Sequence, residues 1–514
     1  MRISHPSRST PSKRRLFCAS CAVLLLSPSL HADDEQEFEF VDVRLINGPC
    51  CTDQGMDLVV DDDGSILIAG YRGSLDFDRD GEIDMPTFGS PDAFISKVSL
   101  EGSENTGWNR GPGGPKGDRA DAIAPDRDGG VFVVGSFNDS MQMTDTTTLP
   151  GEGKSDGFVA RYGRDSQFDW GRTIASPEAD NFNDVASDSK GNVYAIGMIG
   201  GPVDVDQDGK VDAGAIGQTQ ALIVSYSPDG ELRWMRSAGN IANSRAASIV
   251  TGPDDEIYIA GLYEKGAPDF DADGKPDLPV SEATSEEVIA LRNASLYEWN
   301  GFYARLDEEG APLWVNGISG SQVQVAMHLG VAANGDLLVL GGYTAEPDFD
   351  GDGTADLEYR SVPDRLHKYD LDANTFLMQV TPDGERVWTR RYTVPARHIV
   401  AGEHGILLSG TYSGVLDVDD DGILEREADD DDFREGYTML LDERGDIKQV
   451  LPVVGRHRDI VNAAGFSPDG NTLYMTGSTS LGADFNGDGE IEAASMCHKA
   501  GELYLALFER KTSE

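Results

Sequence analysis

Three observations predict an all-β fold, a seven-bladed β-propeller with four antiparallel strands per blade. One pattern of short apolar runs recurs seven times, and the glycine ending its second run falls at Gly70, Gly135, Gly197, Gly261, Gly341, Gly410 and Gly477. Their spacings are 65, 62, 64, 80, 69 and 67 residues, the long one containing an insertion near residues 280–300. Trp108, Trp170, Trp234, Trp314 and Trp388 hold the same place in five consecutive repeats, as expected of side chains that pack between neighbouring sheets.

The third repeat shows why each run is a strand. Strand a lies near residues 184–187 and turns at Ser189-Lys190-Gly191-Asn192. In strand b, Val193, Ala195 and Gly197 alternate with Tyr194, Ile196 and Met198. Strand c covers residues 221–226, and Ser227-Pro228-Asp229-Gly230 turns into strand d at residues 232–236. Period-two alternation between Gly, Asp, Asn and Pro turns is the mark of antiparallel strands. A unit of this size cannot bury both faces alone, but a radial array lets each sheet cover the next. A linear β-solenoid has shorter rungs and lacks successive hairpins.

The chain ends supply the closure. The seventh repeat stops after strand c, at residues 502–508, whereas residues 38–47 precede the first strand a and match a strand d. The N-terminal strand is therefore expected to complete blade 7. That pairing brings residues just after Asn47 close to those just before Glu502, and predicts a disulfide from Cys497 to Cys50 or Cys51. Closing so long a loop is worth about 4 kcal/mol or more in the chain-entropy account.

Composition narrows the functional classes. The chain has 514 residues, 90 acidic against 42 basic, and a net charge of −48. This excludes nucleic acid and anionic lipid as natural partners. Arg2, Arg8, Lys13, Arg14 and Arg15 precede an apolar stretch over residues 16–26 and a small residue at Ala32. Residues 1–32 thus read as a signal peptide and residues 33–514 as one propeller domain. Removing residues 1–32 takes away five basic residues and no acidic one, leaving −53. No later stretch approaches the roughly 20 apolar residues of a membrane span. The expectation is an exported monomer in the periplasm, on the cell surface or secreted.

Asn192-Val193-Tyr194-Ala195-Ile196-Gly197, Asp92-Ala93-Phe94-Ile95-Ser96-Lys97 and the recurrent Asp-Phe-Asp after strand b resemble the seven-bladed propeller repeat of bacterial exported proteins, the SBBP family. The resemblance covers nearly the whole mature chain and implies the propeller fold, with no single activity attached.

Six repeats carry one nonapeptide between strands b and c. Its carboxylate places are Asp76, Asp78, Asp80 and Asp84; Asp204, Asp206, Asp208 and Asp212; Asp269, Asp271, Asp273 and Asp277; and Asp348, Asp350, Asp352 and Asp356. Asp417, Asp419, Asp421 and Glu425 follow, then Asp484, Asn486, Asp488 and Glu492. Oxygen ligands at places 1, 3 and 5 converge if the chain curls, and glycine at place 6 permits the curl. Place 7 adds a backbone carbonyl and place 9 another carboxylate, the hard all-oxygen cage that Ca²⁺ takes. The loops contain no Cys or His, which excludes zinc and copper, and magnesium's stricter octahedron makes it second choice. The loop is similar to the calcium loop of integrin-type propellers. Five or six calcium ions per chain, mainly structural, are expected. Repeat two has Met141-Gln142-Met143-Thr144-Asp145 at the first five places, so no ion is expected there.

No nucleophile elbow or zinc-helix motif accompanies the six histidines beyond residue 32, so no catalytic residue or organic cofactor is predicted. Arg390, Arg391, Tyr392, Arg397, His398 and His404 form a candidate patch for an anionic polymer. The functional reading is a calcium-bearing module that binds a glycan or a surface protein. A propeller-based polysaccharide lyase or hydrolase and a passive envelope component are the alternatives.

Overall fold

The structure, a computed structural model, describes residues 37–46, 53–76, 82–98, 107–215, 219–238, 243–264, 269–270, 278, 299–320, 323–359, 374–413, 415–418, 426–427, 434–455, 458–480, 482–493 and 501–511. The expected signal peptide, Cys50, Cys51 and Cys497, and residues 280–298 of the insertion lie outside them.

The described residues form a seven-bladed β-propeller, each blade running a-b-c-d from the axis outward. Blade 1 comprises Gln54–Val60, Ile66–Arg72, Asp92–Val98 and Trp108–Arg110. Blade 2 comprises Arg119–Pro125, Val131–Phe137, Asp156–Tyr162 and Phe168–Ile174, and blade 3 Asn181–Ser187, Val193–Ile199, Gln220–Tyr226 and Leu232–Ala238. Blade 4 is Ser244–Thr251, Ile257–Glu264, Trp299–Leu306 and Pro312–Gly320; blade 5 is Gln324–Val331, Leu337–Tyr343, Asn374–Val380 and Arg386–Tyr392. Blade 6 is Ala396–Gly402, Gly405–Tyr412, Glu435–Leu441 and Ile447–Gly455. Blade 7 takes Ile460–Phe466, Thr472–Thr479 and Glu502–Arg510 from the C-terminal end and Phe38–Ile46 from the N-terminal end.

The closing strand pairs antiparallel with Glu502–Arg510, from Phe38 opposite Arg510 to Ile46 opposite Leu503. Gln449 of blade 6 fastens it from the side: Phe38 N–H donates to Gln449 Oε1 at 2.8 Å and Gln449 Nε2 donates to Phe38 O at 2.9 Å. Two chain ends more than 400 residues apart are thereby held by ladder and side-chain bonds together.

The seven repeat glycines share one cause. Every strand a carries a β-bulge, immediately before Asp57, Ala122, Asp184, Ser248, His328, His398 and Ala463. The kink aims a carbonyl in strand a, or in blade 6 that of Pro395 just before it, at strand b, so a Cβ on any of the seven glycines would lie 1.9–2.2 Å from that oxygen. Opposite each glycine, strand c places Phe94, Phe158, Leu222, Phe302, Phe376, Tyr437 or Tyr504. A small residue in strand b thus admits both a bulge and a large side chain.

Buried apolar side chains among the described residues fall into seven clusters, each shared by two adjacent blades. One joins Leu58 and Phe94 of blade 1 to Leu503 of blade 7, so the ring is closed by apolar packing too. The strand-d tryptophans act as expected. Trp170, Trp234 and Trp314 donate Nε1–H to the carbonyls of Pro228, Glu308 and Pro382, in the c–d turn of the next blade, at 2.7–2.9 Å.

Candidate metal centres

Four of the acidic loops open the same way. The N–H of place 9 donates to the carbonyl just before place 1: Asp84 to Leu75 and Asp212 to Val203 at 2.9 Å, Asp356 to Pro347 at 2.8 Å, Glu492 to Ala483 at 3.2 Å. Place 2 then turns inward. Val205, Phe270, Phe349, Val418 and Phe485 are all buried. Three of those rings meet a strand-c aromatic edge-on, Phe270 on Phe302 at 4.9 Å, Phe349 on Phe376 at 5.0 Å and Phe485 on Tyr504 at 5.0 Å. The apolar residue between the first two aspartates anchors the loop to the blade. The sequence reading missed this role, although the Asp-Phe/Val-Asp alternation carries its signal.

The loops of blades 3, 5 and 7 are described completely. The place-1 carboxylate accepts the N–H of the place-6 glycine in each: Gly209 to Asp204 at 2.7 Å, Gly353 to Asp348 at 2.9 Å, Gly489 to Asp484 at 2.8 Å. The place-2 N–H donates to the place-9 carboxylate, Val205 to Asp212 and Phe349 to Asp356 at 2.8 Å, Phe485 to Glu492 at 2.7 Å. The curl requires positive φ at place 6, with Gly209 at 88°, Gly353 at 83° and Gly489 at 89°. It also requires positive φ at place 4, held by Gly351 and Gly487 at 72° and 79° but by Gln207 at 61°. That second left-handed position is new relative to the sequence reading.

These bonds bring the carboxylates together. Asp204, Asp206 and Asp212 each offer an oxygen, all within 4.8 Å of one another; so do Asp348, Asp350 and Asp356, and Asp484, Asp488 and Glu492. Two oxygens on one Ca²⁺ lie at most about 5 Å apart, given ligand distances of about 2.3–2.6 Å, so the donor set fits the ion. Asp208 and Asp352 stand outside the clusters, accepting the N–H of Lys210 at 2.9 Å and of Thr354 at 2.7 Å, and Asn486 Oδ1 accepts Asp488 N–H at 2.8 Å. Burial, with repulsion from Asp484 and Asp488, raises the Glu492 pKa above the ordinary glutamate value. In blade 5, Arg386 meets Asp356 at 2.8 Å and Asp350 at 3.5 Å, so that set is partly neutralised by the protein. Asp76, Asp84, Asp269 and Asp417 are described in part-described loops; Asp78, Asp80, Asp271, Asp273, Asp277, Asp419, Asp421 and Glu425 lie outside the described residues.

Blade 2 closes the same place without carboxylates. Ser140–Gln142 pairs with Thr148–Pro150, and Met141, Met143 and Leu149 are buried beneath the hairpin.

The expected basic patch forms only in part. Tyr392 is buried and donates its hydroxyl to Gly445 O at 2.6 Å; Arg390 pairs with Asp446 at 3.3 Å. His404 sits in the a–b turn, 3.1 Å from Pro468 O. Arg397, His398 and His404 line an axial cavity of about 560 Å³ between the inner strands. There His398 Nε2 lies 3.6 Å from Asp57 Oδ1. Asp184 accepts Ser248 Oγ and Ile249 N–H from blade 4 at 2.9 and 2.8 Å, and Asp57 accepts Ile123 N–H from blade 2 at 2.9 Å. Burial pushes the His328 pKa down to about 3, helped by His398 and Arg397, and the Asp184 pKa up to about 7. The axial polar groups chiefly stitch blades to one another.

No protein-family model matches the chain, so the resemblance to the exported-repeat family rests on its motifs. An uncharacterized WD repeat-containing protein of Acanthamoeba polyphaga mimivirus is 24% identical over 249 residues, 41% of this chain and 18% of that protein; the chain therefore spans under a fifth of that relative's length. Similar solved structures include a catalytically inactive virginiamycin B lyase from Staphylococcus aureus (9% identity, TM-score 0.36, covering 90% of this chain and 98% of that one). A quinohemoprotein alcohol dehydrogenase from Pseudomonas putida (10%, 0.38, 93% and 77%) and BamB from Moraxella catarrhalis (9%, 0.33, 92% and 99%) also match. The class, as the chain's own strand order defines it, is a seven-bladed β-propeller, and propellers host many functions. No helix among the described residues is long and apolar enough to cross a membrane.

Proposed function

We propose that this chain is an exported interaction module whose b–c loops are set by calcium, five or six ions per chain. The observation that carries the calcium reading is the convergence of three carboxylates in each completely described loop, all within 4.8 Å, on one shared hydrogen-bond pattern. The similarity to a WD repeat-containing protein supports a role in binding, with a surface protein or a glycan as partner and the monomeric ring as the binding unit. The ions order the loops, so their binding free energy adds to stability; at a calcium concentration one hundred times Kd each site contributes about 2.7 kcal/mol. The basic start and apolar stretch of residues 1–32 support export.

A disulfide from Cys497 to Cys50 or Cys51 belongs to the same proposal. Ile46 pairs with Leu503, and Asp53 N–H donates to Gly501 O at 3.1 Å, so both cysteine-bearing segments depart from one place at the seam. Peptide mass spectrometry without reductant tests it. For calcium, metal stoichiometry with thermal melts in calcium and in chelator is decisive: bound ions and a large fall in Tm on chelation are expected, whereas no ion and an unchanged melt would refute the reading. Glycan-array binding abolished by chelator would place the ligand on the calcium-set rim.

A further inference from the structure

Each junction between blades carries a second set of side chains, distinct from the rim loops and buried. It pairs the first polar residue of strand c with the residue four before the post-bulge position of the next strand a. Four junctions pair carboxyl groups: Asp92 with Asp118, Asp156 with Asp180, Glu435 with Asp459, and Glu502 with Asp53, all under 5% exposed. The other three are uncharged, with Gln220 and Ser244, Asn300 and Gln324, and Asn374 and Val394 in the same places.

The Asp156–Asp180 junction, between blades 2 and 3, shows the problem most plainly. Both carboxyl groups are fully buried. Asp180 N–H donates to Ser155 O at 2.8 Å, so the two residues are backbone neighbours. Both carboxyl groups face the Ser176 N–H, and Asp180 also faces the Ser176 hydroxyl. Asp156 Oδ2 accepts Glu152 N–H at 3.0 Å and Asp180 Oδ1 accepts Gly200 N–H at 2.8 Å, with Gly153 N–H also facing Asp156 and Gly201 N–H facing Asp180, while Asp156 Oδ1 and Asp180 Oδ2 are buried without a close hydrogen bond of their own. The charged side chains on the surrounding segments are Asp139, Glu152, Lys154 and Glu178. All four are exposed, and Lys154 and Glu178 pair with each other at 2.6 Å. At the neighbouring junction Arg72, buried at the end of strand b, acts on Asp92; its counterpart in blade 2 is Phe137. Two buried carboxylates with no side-chain cation between them among the described residues repel strongly, and at the three uncharged junctions neutral side chains, five polar and one apolar, fill the same places.

We infer that Asp156 and Asp180 hold one proton between them in the folded chain beyond the ordinary carboxylate range, making the junction of blades 2 and 3 a seam that is joined in acid and weakened as pH rises. Burial raises the pKa of both groups, and for Asp156 the charge of Asp180 adds to it. A carboxyl group raised by folding binds more protons folded than unfolded. Its stabilisation is complete below the ordinary carboxylate range and is lost as pH rises through the raised value. The inference does not depend on calcium in the rim loops.

The test compares the full-length chain with Asp180→Asn and Asp156→Asn by urea unfolding, with calcium present throughout, from about pH 5 to about pH 9. The native chain's unfolding constant should rise with pH more steeply than either variant's, by about tenfold per pH unit where the extra proton is lost. Infrared difference spectra, folded native chain minus folded Asp180→Asn at about pH 5, should show a neutral carboxyl stretching band. Parallel pH curves, absence of that band from the difference, or loss of one bound cation in Asp180→Asn would each overturn the inference.

Discussion

Blade 2 and blade 5 face the same task, folding a b–c loop back over the edge of a sheet, and meet it with opposite chemistry. Blade 2 buries Met141, Met143 and Leu149 under a short hairpin. Blade 5 anchors its loop with Phe349 and gathers Asp348, Asp350 and Asp356 above it. Both loops need an apolar anchor; they differ in what offsets the remaining polar groups. In blade 2 nothing further is required, whereas in blade 5 three carboxylates within 4.8 Å repel one another until a cation joins them. The comparison separates packing, which is independent of calcium, from electrostatics, which is not.

The largest effect should come from the anchor. Phe349→Ala removes a buried ring against Phe376 and should cost about 3–5 kcal/mol in denaturant unfolding, with calcium or without. Met141→Ala should cost about 2–5 kcal/mol, and its melting temperature should respond to chelator no more than the native protein's does. Asp348→Ala sharpens the contrast. It removes the carboxylate that holds Gly353 N–H, and native mass spectrometry should count one ion fewer. Stability in calcium should fall by about 2–3 kcal/mol; without calcium the variant should match or exceed the native chain. Smallest are the backbone changes. Gly353→Ala, at φ 83°, should cost about 1–2 kcal/mol, and Gln207→Gly, relieving a left-handed non-glycine, should gain up to about 1 kcal/mol in thermal melts.

Much of this architecture was legible in the chain. Alternation and turn residues marked the strands, and a seventh repeat without strand d pointed to residues 38–47, realised as Phe38–Ile46. The carboxylates of blades 3, 5 and 7 were legible because each set lies within nine residues. Contacts between distant segments were not. The bulge carbonyl behind each repeat glycine and the paired residues at the junctions arise only when strands a, b and c, or two blades, come together. The basic patch is split for the complementary reason: Arg390 and Tyr392 lie on strand d of blade 5, whereas Arg397, His398 and His404 lie in and just after strand a of blade 6 and line the axial cavity.

Amide hydrogen exchange during calcium titration addresses the central claim most directly. The backbone N–H groups of Gly209, Gly353 and Gly489 should gain protection together as calcium is added, while those in the blade 2 hairpin between Ser140 and Pro150 stay unchanged. If the three glycine amides exchange at the same rate with saturating calcium as with chelator, the rim is not set by the ion.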